Sequence, residues 1–306
     1  MLVDVIGGFL GSGKTTAILH QLSEKSFDPA RTVILVNEFG EVGVDGVLLD
    51  TGESSVRELP SGCICCSLKA DFVMQVEDIA RTFAPERLVV EPSGVAAMRD
   101  ILQALSHERV AHLIERVRTV LVLDPDDHDW FIEMSDVFVG SQVGLAQLIL
   151  LNKADLATPE LLARVTADLE ERNPHAVVLP TSHGRFSWEQ VDGILPPLPS
   201  PVGESARLDG FESFSAEVPD VFDLESLRGF FARLADGTFG DVARAKGVFR
   251  TDEDGGSHRL DLATRRVHET SWPSTTSGRI NVIGRGIDSD GIREALTAAA
   301  AARDRA

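Results

Sequence analysis

The 306-residue sequence is short of three things: cysteine, basic side chains and long apolar runs. Lys plus Arg total 29 against 48 for Asp plus Glu, giving a formal charge of -19. A surface of that sign repels the phosphates of a nucleic acid and an anionic membrane, so neither is an expected partner, whereas cations and basic surfaces are. No apolar stretch reaches the roughly 20 residues that a membrane-spanning helix needs. The first residues, Met1-Leu2-Val3-Asp4-Val5-Ile6, carry no basic leader and run straight into glycines, which is unlike a secretory signal and predicts a cytoplasmic protein. Thiols stay reduced there, so the three cysteines read as metal ligands or reactive groups before disulfides.

What is present is globular. Hydrophobic residues make up 43% and charged residues 25%, and the length exceeds that of one ordinary domain, so two domains are expected. Short apolar runs recur at Leu2–Ile6, Thr32–Val36, Leu88–Val90, Thr119–Leu123, Leu148–Leu151 and Ala176–Leu179, each of a length that suits a buried parallel strand. Helical periods lie between them, as in Phe72, Val73, Val76, Ile79, Ala80 and Phe83. Alternation of this kind predicts an α/β domain, a parallel sheet wound with helices, over residues 1–195, with ligands at the carboxyl ends of the strands. A proline-rich segment follows at 196–206 and reads as a linker, because closely spaced prolines suit neither helix interior nor sheet ladder. Beyond it, over 207–306, strands are expected at Phe211–Val218, Ala243–Arg250, His258–Leu262, Arg266–His268 and Arg279–Ile283. With helices at Leu224–Leu234 and near Gly291–Ala302, they form a smaller α+β domain.

The most specific motif is Gly8-Phe9-Leu10-Gly11-Ser12-Gly13-Lys14-Thr15, a complete G-x-x-x-x-G-K-T between a predicted strand and a predicted helix. Glycines at 8, 11 and 13 let backbone N–H groups around Ser12 turn inward on phosphates, and the helix N-terminus adds positive potential. Lys14 then reaches the terminal phosphates and Thr15 offers a hydroxyl to Mg²⁺; Thr16 belongs to the same nucleotide-binding run. A second piece is Glu91-Pro92-Ser93-Gly94 at the end of a strand, where the acid holds Mg²⁺ and the glycine N–H senses the γ-phosphate. Lys14, Thr15 and Glu91 are accordingly the catalytic candidates. The third piece is Asn152-Lys153-Ala154-Asp155: Asp155 accepts from the guanine N1–H and amino group, a donor pair that adenine lacks, while Asn152 and Lys153 brace the loop and cover the base. Thr181-Ser182, after the next strand, backs the base. The residue after Gly94 is Val95, where many GTPases keep a water-orienting glutamine, so intrinsic hydrolysis should be slow.

All three cysteines fall in Cys63-Ile64-Cys65-Cys66, just ahead of the helix expected at Leu68–Phe83, whose N-terminal dipole lowers thiol pKa. Such thiolates suit a soft or borderline ion; a redox pair is the rival reading, against which stands the absence of C-x-x-C spacing. Three thiols cannot close a four-ligand site, so a further ligand comes from elsewhere or one position stays open. Asn37-Glu38-Phe39-Gly40-Glu41-Val42-Gly43-Val44-Asp45-Gly46, after the second strand, offers carboxylates where a switch segment belongs.

Taken in order, these motifs resemble the CobW-type metallochaperone GTPases, relatives of the nickel-insertion GTPases. Arg244-Ala245-Lys246-Gly247 and Ile283-Gly284-Arg285-Gly286 resemble that family's C-terminal domain. The resemblance implies a GTP-hydrolysing carrier whose ion is held by Cys65, Cys66 and Glu38, with Cys63 as the remaining thiol. Zn²⁺ is the implied cargo and Co²⁺ the alternative, with delivery to a client metalloprotein. Pro92 departs from the family's hydroxyl residue, and the eight histidines are dispersed where many members carry a His-rich stretch, which disfavours metal storage. The alternatives are a small-molecule kinase with the same phosphate loop, a cobalt- or iron-inserting activator of a metalloenzyme, and a non-enzymatic metal buffer. Oligomeric state stays open.

Overall fold

A computed structural model describes residues 1–9, 11–24, 26–36, 55–58, 68–92, 98–200, 211–218, 221–251, 256–263, 265–272 and 278–302. They fall into two compact units, the first ending at residue 200 and the second beginning at Phe211. The first unit is a seven-stranded, wholly parallel sheet. Its strands are β1 (Leu2–Gly8), β2 (Thr32–Val36), β3 (Ser55–Glu58), β4 (Arg87–Glu91), β5 (Arg116–Leu123), β6 (Leu148–Leu151) and β7 (Val177–Pro180). The spatial order is β3-β2-β4-β1-β5-β6-β7, so β1 lies between β4 and β5.

The strands read as continuous apolar runs because both faces are covered. α1 (Lys14–Ser23) places Ala17, Ile18 and Leu22 against Ile6, Val120 and Val122 on one face, together with Trp188 and Val191 of the short α7 (Trp188–Val191). On the other face α3 (Met98–Leu105) comes so close to β1 that a Cβ at Gly7 would fall 2.7 Å from Met98 Cε. Further helices are α2 (Leu68–Phe83), α4 (Glu108–Ala111), α5 (His128–Val143) and α6 (Pro159–Arg172). The expected parallel α/β architecture is present, with one strand more than the apolar runs mark. β3 pairs Ser55–Glu58 with Val33–Val36, and its sequence, Ser-Val-Arg-Glu, holds a single apolar residue. An edge strand can be recruited by its neighbour's hydrogen bonds without an apolar run of its own.

The second unit is α+β, as expected. β8 (Phe211–Val218), β10 (Asp241–Thr251), β11 (Ser257–Ala263), β12 (Arg266–Trp272) and β13 (Gly278–Arg285) form an antiparallel sheet in the order β12-β11-β10-β13-β8, and the short β9 (Val221–Phe222) pairs with β10 in parallel. α8 (Leu224–Ala235) and α9 (Ser289–Ala302) cover one face, packing Leu227, Phe231, Ile292 and Leu296 around Phe249, Leu260 and Ile280. β12 runs four residues past the expected Arg266–His268 because its full length pairs with β11, Ser257 opposite Trp272. As an exposed edge strand it lacks the apolar alternation that would mark its end in the sequence. Among the described residues no helix is long and apolar enough to cross a membrane.

Candidate nucleotide-binding site

The site lies at the carboxyl ends of β1, β4, β5 and β6. β1 runs directly into the phosphate loop, and two glycines there are required by space as well as torsion. Gly8 has φ of +147° and a Cβ on it would meet Val122 O at 2.2 Å; Gly13 has φ of +101° and a Cβ would meet Asn152 Nδ2 at 2.4 Å. Gly11 is also left-handed, at φ of +79°. α1 starts at Lys14 with no side-chain cap and no acid in its first turn, the arrangement that favours an anion at a helix N-terminus. The Ser12 hydroxyl is buried and has no hydrogen-bond partner among the described residues. Lys14 is itself buried and donates from Nζ to Gly8 O and Phe9 O, each at 3.1 Å, which holds its ammonium over the loop.

Thr15 Oγ1 donates to Glu91 Oε1 at 2.8 Å, and Glu91, at the end of β4, is buried. Adjacent strands therefore bring a hydroxyl and a carboxylate together from positions 76 residues apart. Oxygen donors of this kind fit a hard cation such as Mg²⁺. Thr16 borders a groove of about 1070 Å³ that Leu19, His20, His183 and Arg185 also line.

On the base side Asn152 is buried and acts as a clamp. Its Nδ2 donates to Ser12 O at 2.8 Å, while Oδ1 accepts from Gly184 N at 2.8 Å and from Thr181 Oγ1 at 3.3 Å. One amide thus fastens the phosphate loop to the segment after β7, and Ala154 N adds a bond to Thr181 O at 2.9 Å. Asp155 is exposed, and the Ser182 hydroxyl, then its own backbone, hold its carboxyl below the usual range. It is ionised at neutral pH and only accepts, as the reading of two N–H donors requires. Lys153 adopts the left-handed φ of +59° and pairs through Nζ with Asp124 Oδ2 at 2.5 Å.

The structure thus gathers Gly8, Gly11, Ser12, Gly13, Lys14, Thr15, Thr16, Glu91, Asn152, Lys153, Asp155 and Thr181-Ser182 along one edge of the sheet. Gly94, Val95, Glu38, Cys63, Cys65 and Cys66 lie outside the described residues. Asp124 went unmarked in the sequence; the signal that could have found it is the one that marked Glu91, an acid closing an apolar strand.

A glycine loop between parallel strand and helix, a buried lysine over it and an asparagine clamp to a base loop define a phosphate-loop nucleotide-binding protein. The chain belongs to the CobW family: residues 2–180 match the family described as CobW/HypB/UreG, nucleotide-binding domain, and residues 211–300 match the Cobalamin synthesis protein cobW C-terminal domain. It is similar to the zinc chaperone YeiR of Escherichia coli (strain K12), at 35% identity over 201 residues, 64% of this chain and 58% of that relative's length. It is also similar to the zinc chaperone CobW of Pseudomonas aeruginosa, at 28% identity over 98% of this chain and 91% of the relative. Among solved structures, the Zn(II)-bound YjiA GTPase from E. coli aligns over 98% of both chains at 21% identity with a TM-score of 0.46.

Proposed function

We propose that this protein is a GTP-hydrolysing metallochaperone that carries Zn²⁺ and passes it to a client metalloprotein. The observation that carries the nucleotide half is Asn152, whose side chain joins the phosphate loop at Ser12 to the loop beside the ionised Asp155. Backbone N–H groups of the phosphate loop and Lys14 bind the phosphates, Thr15 and Glu91 would hold Mg²⁺, and Asp155 selects guanine. When bound there, Mg²⁺ would supply neutralisation of phosphate charge. With Val95 in place of a glutamine, the intrinsic rate is slow. The metal half rests on the three thiols within Cys63–Cys66 and on relatives named zinc chaperones. Cys65, Cys66 and Glu38 are the proposed ligands, with Cys63 as a further thiol, and Zn²⁺ fits their mixed sulfur and oxygen chemistry.

Guanine selection gives a direct expectation. Asp155→Ala removes two charge-assisted hydrogen bonds to the base edge and should weaken GTP binding roughly tenfold or more. ATP binding, which does not use that carboxylate, should hardly change. Titration of both nucleotides against parent and variant checks this, and equal ATP and GTP affinities in the parent would sink the guanine assignment.

The chaperone reading requires that nucleotide and metal influence each other. Glu38 lies on the segment after β2 and the cysteines lie between it and Glu91, so a change of that region with the γ-phosphate moves the ligands relative to one another. Linkage is reciprocal: if GTP changes zinc affinity by some factor, zinc changes GTP affinity by the same factor, with a coupling of roughly 1–3 kcal/mol. Competition titrations with zinc in the apo, GDP and GTP-analogue forms measure it. Identical zinc affinities in all three forms would leave a GTPase that merely carries thiols.

A further inference from the structure

Asp124 follows β5, the strand that lies between the phosphate-loop strand β1 and the base-loop strand β6. Its side chain is 10% exposed, and both of its oxygens are engaged. Oδ1 accepts from Asp126 N at 3.1 Å, which fixes the carboxylate in the turn Pro125–Asp127, and Oδ2 pairs with Lys153 Nζ at 2.5 Å. The two strand ends are joined again by Asn152 N, which donates to Leu123 O at 2.7 Å. Lys153 keeps a left-handed backbone that a residue with a Cβ adopts only where its surroundings impose it. A lysine has four side-chain torsions, and its stem stays in one place only if its ammonium is held.

We propose that Asp124 is a positioning residue for guanine-nucleotide binding: its carboxylate anchors the ammonium of Lys153, so the lysine stem is already in place to cover the base that Asp155 reads. This rests on the nucleotide site proposed above. Asp124 touches no nucleotide itself and acts through Lys153. A merely structural role would persist whatever residue stood at 153, whereas a positioning role disappears with the lysine. GDP and GTP share the base, so both should lose affinity by the same factor, and the loss should fall on KM and Kd and not on kcat.

The test is binding of a fluorescent GDP analogue and steady-state GTP hydrolysis by the full chain and by Asp124→Asn, Lys153→Met and the double variant. Asp124→Asn should raise Kd and KM about tenfold, the weight of a charge-assisted bond discounted for the partly exposed lysine. In the Lys153→Met background the same change should have no further effect. Asp124→Glu, which keeps the charge, should recover most of the affinity and guards against a misfolded Asp124→Asn. Unchanged GDP binding by Asp124→Asn, or an equal loss with and without Lys153, overturns the proposal. Failure of the parent chain to bind any guanine nucleotide overturns instead the reading on which it rests.

Discussion

Lys14→Ala should lower the rate of GTP hydrolysis roughly 100- to 1,000-fold, the range found when a group stabilising transition-state charge is removed. Two effects combine. The ammonium is the cation that the motif places at the terminal phosphates, and in the structure it also bonds Gly8 O and Phe9 O, so the loop itself is held by it. Its side chain is buried, which strengthens its interaction with an anion relative to a solvent-screened lysine. Zinc binding should survive, because the proposed thiolates belong to a separate segment of the chain. Phosphate release measured at saturating GTP, beside zinc stoichiometry from a chromophoric chelator, tests both halves. A variant within about tenfold of the parent rate would show that Lys14 does not face the phosphates, and joint loss of hydrolysis and zinc would show that the two sites are not separable.

Asp4→Ala should destabilise the first unit by about 3–5 kcal/mol, a large share of the 5–15 kcal/mol that holds a typical domain. Asp4 is wholly buried in β1, at the end of the sheet away from the phosphate loop. It accepts from Arg118 Nε at 2.6 Å and Nη2 at 2.8 Å, and it also pairs with Arg87. Burial alone would lower the Arg118 pKa, but hydrogen bonds and attraction from Asp4 and then Asp192 more than reverse this and raise it. The same guanidinium lies 3.5 Å from the centre of the Trp188 ring. Removing Asp4 therefore takes two hydrogen bonds from a buried cation that cannot give up its proton and leaves it to the more exposed Asp192, at 3.1 Å. The exposed pair Arg164–Asp129 is screened by solvent, contributes far less and makes a suitable control. Urea unfolding midpoints of Asp4→Ala and Asp129→Ala should differ clearly; equal shifts would mean that Asp4 is not a structural anchor.

These residues show where reading a sequence stops. The three ordered motifs were legible because each rests on local demands: glycine where a loop turns tightly, lysine and threonine at a helix start, and an asparagine and an aspartate after an apolar strand. Asp4 was not. An aspartate inside the short run Leu2–Ile6 carries no signal of what surrounds it, since its partners Arg87 and Arg118 lie 83 and 114 positions away. Asp124 does carry a signal, an acid closing the apolar strand β5, but nothing local pairs it with Lys153, and β3 is unmarked because the one apolar residue of Ser55–Glu58 forms no run.

The sequence by itself determined the class of site and the covering of the sheet. The torsions that glycines permit and the periodicity of apolar residues are properties of neighbouring positions, and they do not wait on the rest of the chain. Tertiary structure alone decided the strand order, and with it every pairing that crosses the sheet: Thr15 with Glu91, Asn152 with Ser12 and Gly184, Lys153 with Asp124. A side chain of a few ångströms reaches only what packing sets beside it. Which strand end stands beside which follows from the burial of both sheet faces at once, a condition on the whole unit that no single motif contains.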